Sequence, residues 1–171
     1  MTHAELVIRA ERWLRNTRRC GVVLTEASGS GQEIPDAIGW TLGYCPMSTL
    51  VECKVSRADF RADQLKTFRN QNLGDMAIGR FRYYMAPAGL IKPDELPPRW
   101  GLLEVRASSV RQTVKAKRWD LDQPGANLGL RYEMAIMLSE LRKIQIVQSG
   151  KELQWKSKAG ERVTALLQKG A

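Results

Sequence analysis

The stretch Leu50-Val-Glu-Cys-Lys-Val-Ser56 constrains the fold more tightly than any other part of the chain. Side chains of a β-strand alternate between two faces. Val51, Cys53 and Val55 therefore share an apolar face suited to a core, while Leu50, Glu52, Lys54 and Ser56 share the other. The segment is apolar enough to be a central strand, yet it carries an acid and an amine side by side. Charged groups are buried only at a large desolvation cost unless they are partnered. Two readings follow: a Glu-Lys pair on the exposed face of an edge strand, or a polar site built into the middle of a sheet. A Glu-x-Lys triplet alone does not choose between them.

The rest of the pattern places this strand in a mixed α/β domain. Leu6, Ala10, Trp13, Leu14 and Thr17 fall on one face of a helix over Ala4–Arg18. Strands are predicted over Cys20–Ala27, Ile34–Thr41, Thr49–Ser56 and Gly79–Ala86, with a helix over Arg57–Asn70 between the last two. Trp100–Arg106 and Val110–Lys117 read as a hairpin of two further strands, after an irregular link at Pro93–Pro98. A Gly- and Pro-containing loop leads to a long helix over Leu128–Val147, with Leu130, Met134, Met137, Leu141 and Ile144 as its apolar stripe, best read as core. A short basic helix is predicted over Glu161–Lys169. The domain reading is a core of residues 1–120 with a helical and basic extension, 121–171, packed on it.

Charge narrows the partners. With 27 Lys and Arg against 18 Asp and Glu, the formal net charge is +9, which favours polyanions through counterion release. Nucleic acid comes first, an acidic membrane surface second. No apolar run approaches the roughly 20 residues needed to span a bilayer. Cys20, Cys45 and Cys53 form no CxxC pair, and His3 is the only histidine. A Cys/His zinc site and a histidine general base are therefore not expected, and the free thiols point to a reducing, cytoplasmic setting.

One short strand upstream of Glu52 lies Pro35-Asp36, flanked by Ile34 and Ile38 at alternating positions. If the two strands pair, Asp36 and Glu52 converge, and two carboxylates with water suit Mg²⁺. A cation there polarises a phosphoryl oxygen and lowers the pKa of a bound water, and Lys54 orients that water or stabilises transition-state charge.

Pro35-Asp36, a spacer and Glu52-Cys53-Lys54 resemble the signature of the PD-(D/E)XK nuclease superfamily. The continuation Ser56-Arg-Ala-Asp-Phe-Arg-Ala-Asp63 resembles the MmcB-like DNA-repair group within it, and the likeness runs over roughly Glu5 to Val114. The resemblance implies a restriction-endonuclease-like fold, with a four-stranded mixed core sheet flanked by helices, here with an added β-hairpin and C-terminal helix. It implies a metal-dependent nuclease that hydrolyses DNA phosphodiester bonds in repair, recombination or mobile-element processing. It also implies Mg²⁺ or Mn²⁺ held by Asp36, Glu52 and the backbone carbonyl of Cys53. Many relatives add a glutamate from the first helix; Glu5, Glu11 and Glu26 are the candidates, with Glu11 preferred for its distance before Cys20-Gly21.

Phe60, Gln64 and Phe68 share a helix face, so Gln64 needs a polar partner. It either supports the catalytic site, as a helix glutamine does in some of these nucleases, or binds a backbone group. Asp59, Asp63, Lys66 and Asn70 fall on the opposite face, toward solvent. Arg57, Arg61, Arg80, Arg82, Arg111, Lys115 and Lys117 are the candidate phosphate-binding residues, a basic strip beside the metal site. The alternatives are a catalytically inactive nucleic-acid-binding protein of the same fold, and an interaction protein using its C-terminal helix. A homodimer is left open.

Overall fold

The computed structural model describes residues 1–27, 34–66, 78–119, 126–143, 145–149 and 152–156. A first helix, α1 (His3–Asn16), leads into three strands, β1 (Cys20–Thr25), β2 (Ala37–Thr41) and β3 (Ser48–Cys53). Then come α2 (Arg57–Gln64), β4 (Phe81–Pro87), a 3₁₀ turn (Pro93–Glu95), β5 (Gly101–Val105), β6 (Val110–Val114) and α3 (Ala126–Lys143).

All six of these strands form one mixed sheet in the order β1-β2-β3-β4-β5-β6. The meander β1-β2-β3 is antiparallel. β4 runs parallel to β3 and β5 parallel to β4, after which β6 returns antiparallel. The predicted hairpin is therefore real, and it extends the main sheet rather than standing apart. β3 lies inside the sheet with every residue buried. An exposed edge-strand pair at Glu52 and Lys54 is ruled out.

The two sheet faces carry separate cores. Leu6, Ala10, Trp13 and Leu14 of α1 pack on Ala37, Val51, Cys53, Tyr83 and Met85. The opposite face holds Ile38, Leu50, Tyr84 and Leu102 beneath Phe60 of α2 and Ile136 of α3. α1 begins where its sequence dictates: Thr2 caps it by accepting from the Glu5 amide, and the Glu5 carboxylate accepts from the Thr2 amide. Ser56 caps α2 in the same manner through the Asp59 amide.

α3 departs from expectation. Leu130, Met134 and Leu141 of the predicted apolar stripe are exposed, and Ile144 lies outside the described residues. The face turned to the sheet carries Glu133 and Ile136, with Met137 of the stripe packed half-buried beside them. Glu133 explains the rotation, because its carboxyl accepts from Trp40 Nε1 on β2, Ser48 Oγ on β3 and the Gly79 amide, each at 2.8 Å. Gly79 has φ +86°, and a Cβ there would meet Leu50 Cβ at 2.6 Å, so only glycine brings that amide to the carboxyl. Helix α3 also ends earlier than predicted. Gln145–Ser149 (β7) and Glu152–Lys156 (β8) form an antiparallel hairpin, in keeping with the β-branched pair Ile146-Val147 and the Ser149-Gly150 turn signal. The predicted Glu161–Lys169 helix lies outside the described residues. No helix among the described residues is long and apolar enough to cross a membrane.

Candidate active site at the end of the central strand

The β2–β3 register pairs Ala37 with Val51 and Ile38 with Leu50. Asp36 directly precedes the last pair of that ladder, and Glu52 directly follows it. Pro35 has no N–H to offer a ladder, and at that point the Asp36 side chain takes over. Its Oδ2 accepts the Cys53 amide at 2.7 Å. Amide and carbonyl of one strand residue leave on the same side, so the Cys53 carbonyl is also directed toward the β2 side, where Asp36 sits. The other Asp36 oxygen, Oδ1, lies 3.4 Å from His3 Nε2. His3, the only histidine of the chain, is fixed by the Thr2 cap in the first turn of α1, against Asp36.

Glu52 and Lys54 are both buried. The Lys54 ammonium is 3.4 Å from Glu52 Oε2, 3.2 Å from Asp63 Oδ1 and 4.0 Å from Asp59 Oδ1. Burial works against its charge, but the fields of Glu52, Asp63, Asp36 and Asp59 outweigh that penalty and hold its pKa above the ordinary lysine value. Lys54 is therefore a fixed cation at neutral pH and cannot act as a general base. The Cys53 thiol is pushed strongly upward by burial and then by Asp36 and Glu52, so it stays protonated and is no nucleophile.

Asp63 corrects the sequence reading most sharply. Expected in solvent, it is 1% exposed. Its Oδ2 accepts the Tyr84 hydroxyl at 2.7 Å, and its Oδ1 meets Lys54 and, at 2.8 Å, Lys66. The run Ser56-x-x-Asp59-Phe60-x-x-Asp63 thus has a local physical meaning. Ser56 starts the helix, and Asp59 folds back to accept the Val55 amide. Phe60 packs edge-on against Tyr84, and Asp63 reaches the amine.

Other candidates fall elsewhere. Glu11 forms an i,i+4 pair with Arg15 on the α1 surface, and Glu5 is spent on the cap; Glu26 stands at φ +48° just past β1. Gln64 donates to the Glu95 carbonyl at 2.8 Å, the backbone-binding alternative of the two left open. Arg57 is held by the Glu95 carboxylate and the Leu90 carbonyl. The 3₁₀ turn thereby clamps both ends of α2.

The basic strip does not form beside the site. β4 and β5 run parallel to β3, so Arg80 and Arg82 enter the sheet at the end remote from Glu52. Arg82 is buried, donates to the carbonyls of Ile78 and Gly79, and stacks on Trp119. Lys115 and Lys117 follow the remote end of β6, the Lys117 amide binding the Arg99 carbonyl. Arg111 lies opposite Glu104, at the site's end but three strands from β3. Arg61 is exposed on α2.

The Arg57–Glu95 pair has a pH signature. Hydrogen bonds from Arg57 and then from the Lys92 amide lower the Glu95 pKa from 4.5 to about 2. A depressed carboxyl contributes stability above its unfolded value and loses it as pH falls through the folded one. Glu95→Gln is expected to lower the melting temperature at pH 6, with the gap to the parent protein closing between pH 4.5 and 2. Thermal melts across that window check it; a gap that persists at pH 2 contradicts it.

No family model and no curated protein matches the chain. Among solved structures it is similar to a protein of unknown function from Silicibacter pomeroyi, with a TM-score of 0.54 and 21% identity over 83% of this chain and 92% of that one. The likeness is one of fold.

Proposed function

We propose that the chain is a metal-dependent nuclease of the PD-(D/E)XK kind acting on DNA. The observation that carries the reading is that Asp36, directly before β2, binds the Cys53 amide at the end of β3, where Glu52 and Lys54 also lie. The order helix, antiparallel three-strand meander, helix and parallel fourth strand supports a restriction-endonuclease-like core. Among the described residues no three His, Cys, Asp or Glu side chains converge as a cation site. Two carboxylates at the end of neighbouring strands are nevertheless a donor set that suits Mg²⁺ or Mn²⁺, since magnesium typically takes one or two from the protein and fills its sphere with water and substrate. Asp36, Glu52 and the Cys53 carbonyl would hold the ion, which supplies Lewis acidity and a lowered water pKa. Lys54, always charged, supplies donors for a phosphoryl oxygen or the attacking water.

The test is cleavage of linear, nicked, flapped and single-stranded DNAs with Mg²⁺, Mn²⁺ or EDTA. Cutting is expected with metal alone, falling about 10²–10³-fold in Asp36→Ala. Full activity in Asp36→Ala, or in EDTA, contradicts the reading.

One observation favours a second reading, a protein of this fold that binds nucleic acid without cutting it. The Lys54 side chain is 5% exposed and already engaged by carboxylates. Salt-sensitive DNA binding with no cleavage on any substrate would select this reading.

A further inference from the structure

We infer that Asp63 and Tyr84 are the positioning pair for Lys54, an assignment that rests on the site reading above for its catalytic meaning but not for its geometry. Lys54 leaves the last turnout of β3 with a long, rotatable side chain, and such an ammonium acts as a point charge with no preferred direction of its own. Something must fix where it stands. Glu52 is two residues away on the same strand face and sets only one contact, at 3.4 Å. The shorter contact comes from α2: Asp63 Oδ1 at 3.2 Å.

Asp63 is itself held on its second oxygen. Tyr84 OH donates to Oδ2 at 2.7 Å, and Tyr84 is fully buried on β4, in register with Glu52. The ring is clamped by Phe60 edge-on and by Trp100 stacked at 4.4 Å. A chain of rigid groups therefore runs from an aromatic core through one hydroxyl and one carboxylate to the amine. Lys66, just past the end of α2, holds the same Asp63 oxygen at 2.8 Å. Asp59, partly exposed, lies further off, at 4.0 Å. Neither Asp63 nor Tyr84 is placed to touch a phosphate; each acts through Lys54.

The experiment measures Lys54 directly. In protein carrying ¹⁵N-labelled lysine, a held, buried ammonium gives a slowly exchanging ¹⁵Nζ signal, identified by its loss in Lys54→Met. Asp63→Asn is expected to raise the exchange rate of that signal about tenfold or more, or to abolish it, and Tyr84→Phe to do so to a smaller degree. Tyr84→Phe removes a single hydroxyl, so it serves where Asp63→Asn fails to fold. An unchanged signal in either folded variant overturns the inference. Cleavage supplies the second readout, as a double-mutant cycle: Asp63→Asn should lower kcat about 10- to 100-fold with KM for DNA little changed. In a Lys54→Met background it should lower the residual rate no further. Equal losses in both backgrounds would mark Asp63 as merely structural and overturn its positioning role. If the parent protein cuts no DNA while the ammonium signal responds as stated, the nuclease reading fails and the positioning assignment stands.

Discussion

Lys54→Ala is expected to lower stability by about 3 kcal/mol, because it removes the cation shared by two buried carboxylates, Glu52 and Asp63, and leaves Asp63 to Lys66 and Tyr84. For a chain of this size that is a fall of about 10 °C in melting temperature. The same substitution should reduce metal-dependent cleavage by about 10²–10³-fold. The two losses are separable. Lys54→Met combined with Asp63→Asn should be less destabilised than the sum of the single variants, since the second change removes one of the two carboxylate charges. It should cut no better than Lys54→Met alone. Thermal melts and initial rates on the three proteins check this, and simple additivity in stability would show that the carboxylates are not coupled through the amine.

Glu133→Ala is expected to be as damaging at the opposite end of the sheet. It leaves Trp40 Nε1, Ser48 Oγ and the Gly79 amide without the acceptor they share. A buried donor left unsatisfied costs about 1–3 kcal/mol, so the sum is about 4 kcal/mol, again near 10 °C. Glu133→Gln keeps one carbonyl oxygen and should retain more than half of that stability. It fails at a single contact, where its amide faces another donor. Because Glu133 ties α3 to β2, β3 and the start of β4, its loss should also loosen α3, visible as faster amide exchange along Ala126–Lys143. A Glu133→Ala protein as stable as its parent would contradict the clasp.

What could be read from the sequence was mostly short-range. The two-residue alternation of Leu50–Ser56 identified a strand but left its edge or central place open, and the burial of Ser48–Cys53 decides for central. The 3.6-residue stripe of Leu6, Ala10 and Leu14 located α1 and its buried face, and the hairpin Trp100–Lys117 was visible as two alternating runs. The misses share one cause, a partner far along the chain. Asp63 looked solvated because the helix was phased on Phe60, Gln64 and Phe68, while Tyr84, the hydroxyl that draws it inward, lies 21 residues on. Glu133 was invisible as a core residue because its donors lie up to 93 residues away. An apolar stripe, Leu130 to Leu141, was the only signal α3 offered, and of it only Met137 packs on the core while Leu130, Met134 and Leu141 are exposed.

The basic residues failed for a different reason. Alternation gives the face of a strand on which Arg80 or Lys115 lies, but not the end of the sheet it occupies. That depends on strand direction, and β4 and β5 run parallel to β3. A single histidine gave no reason to expect a role for His3, although Thr2 and Glu5 form a capping box readable from the sequence, and that cap fixes the turn carrying it.

The central claim is that Asp36 and Glu52 hold one divalent cation between neighbouring strands. Titration with Mn²⁺, followed by the loss of the free aqua ion's paramagnetic resonance signal, measures it without reference to any substrate. The expected result is a single site per chain, weakened about tenfold or more by Asp36→Asn and by Glu52→Gln, and unaltered by Glu11→Gln, whose parent carboxylate pairs with Arg15. Absence of Mn²⁺ binding, or binding that survives both carboxylate substitutions unchanged, would contradict it.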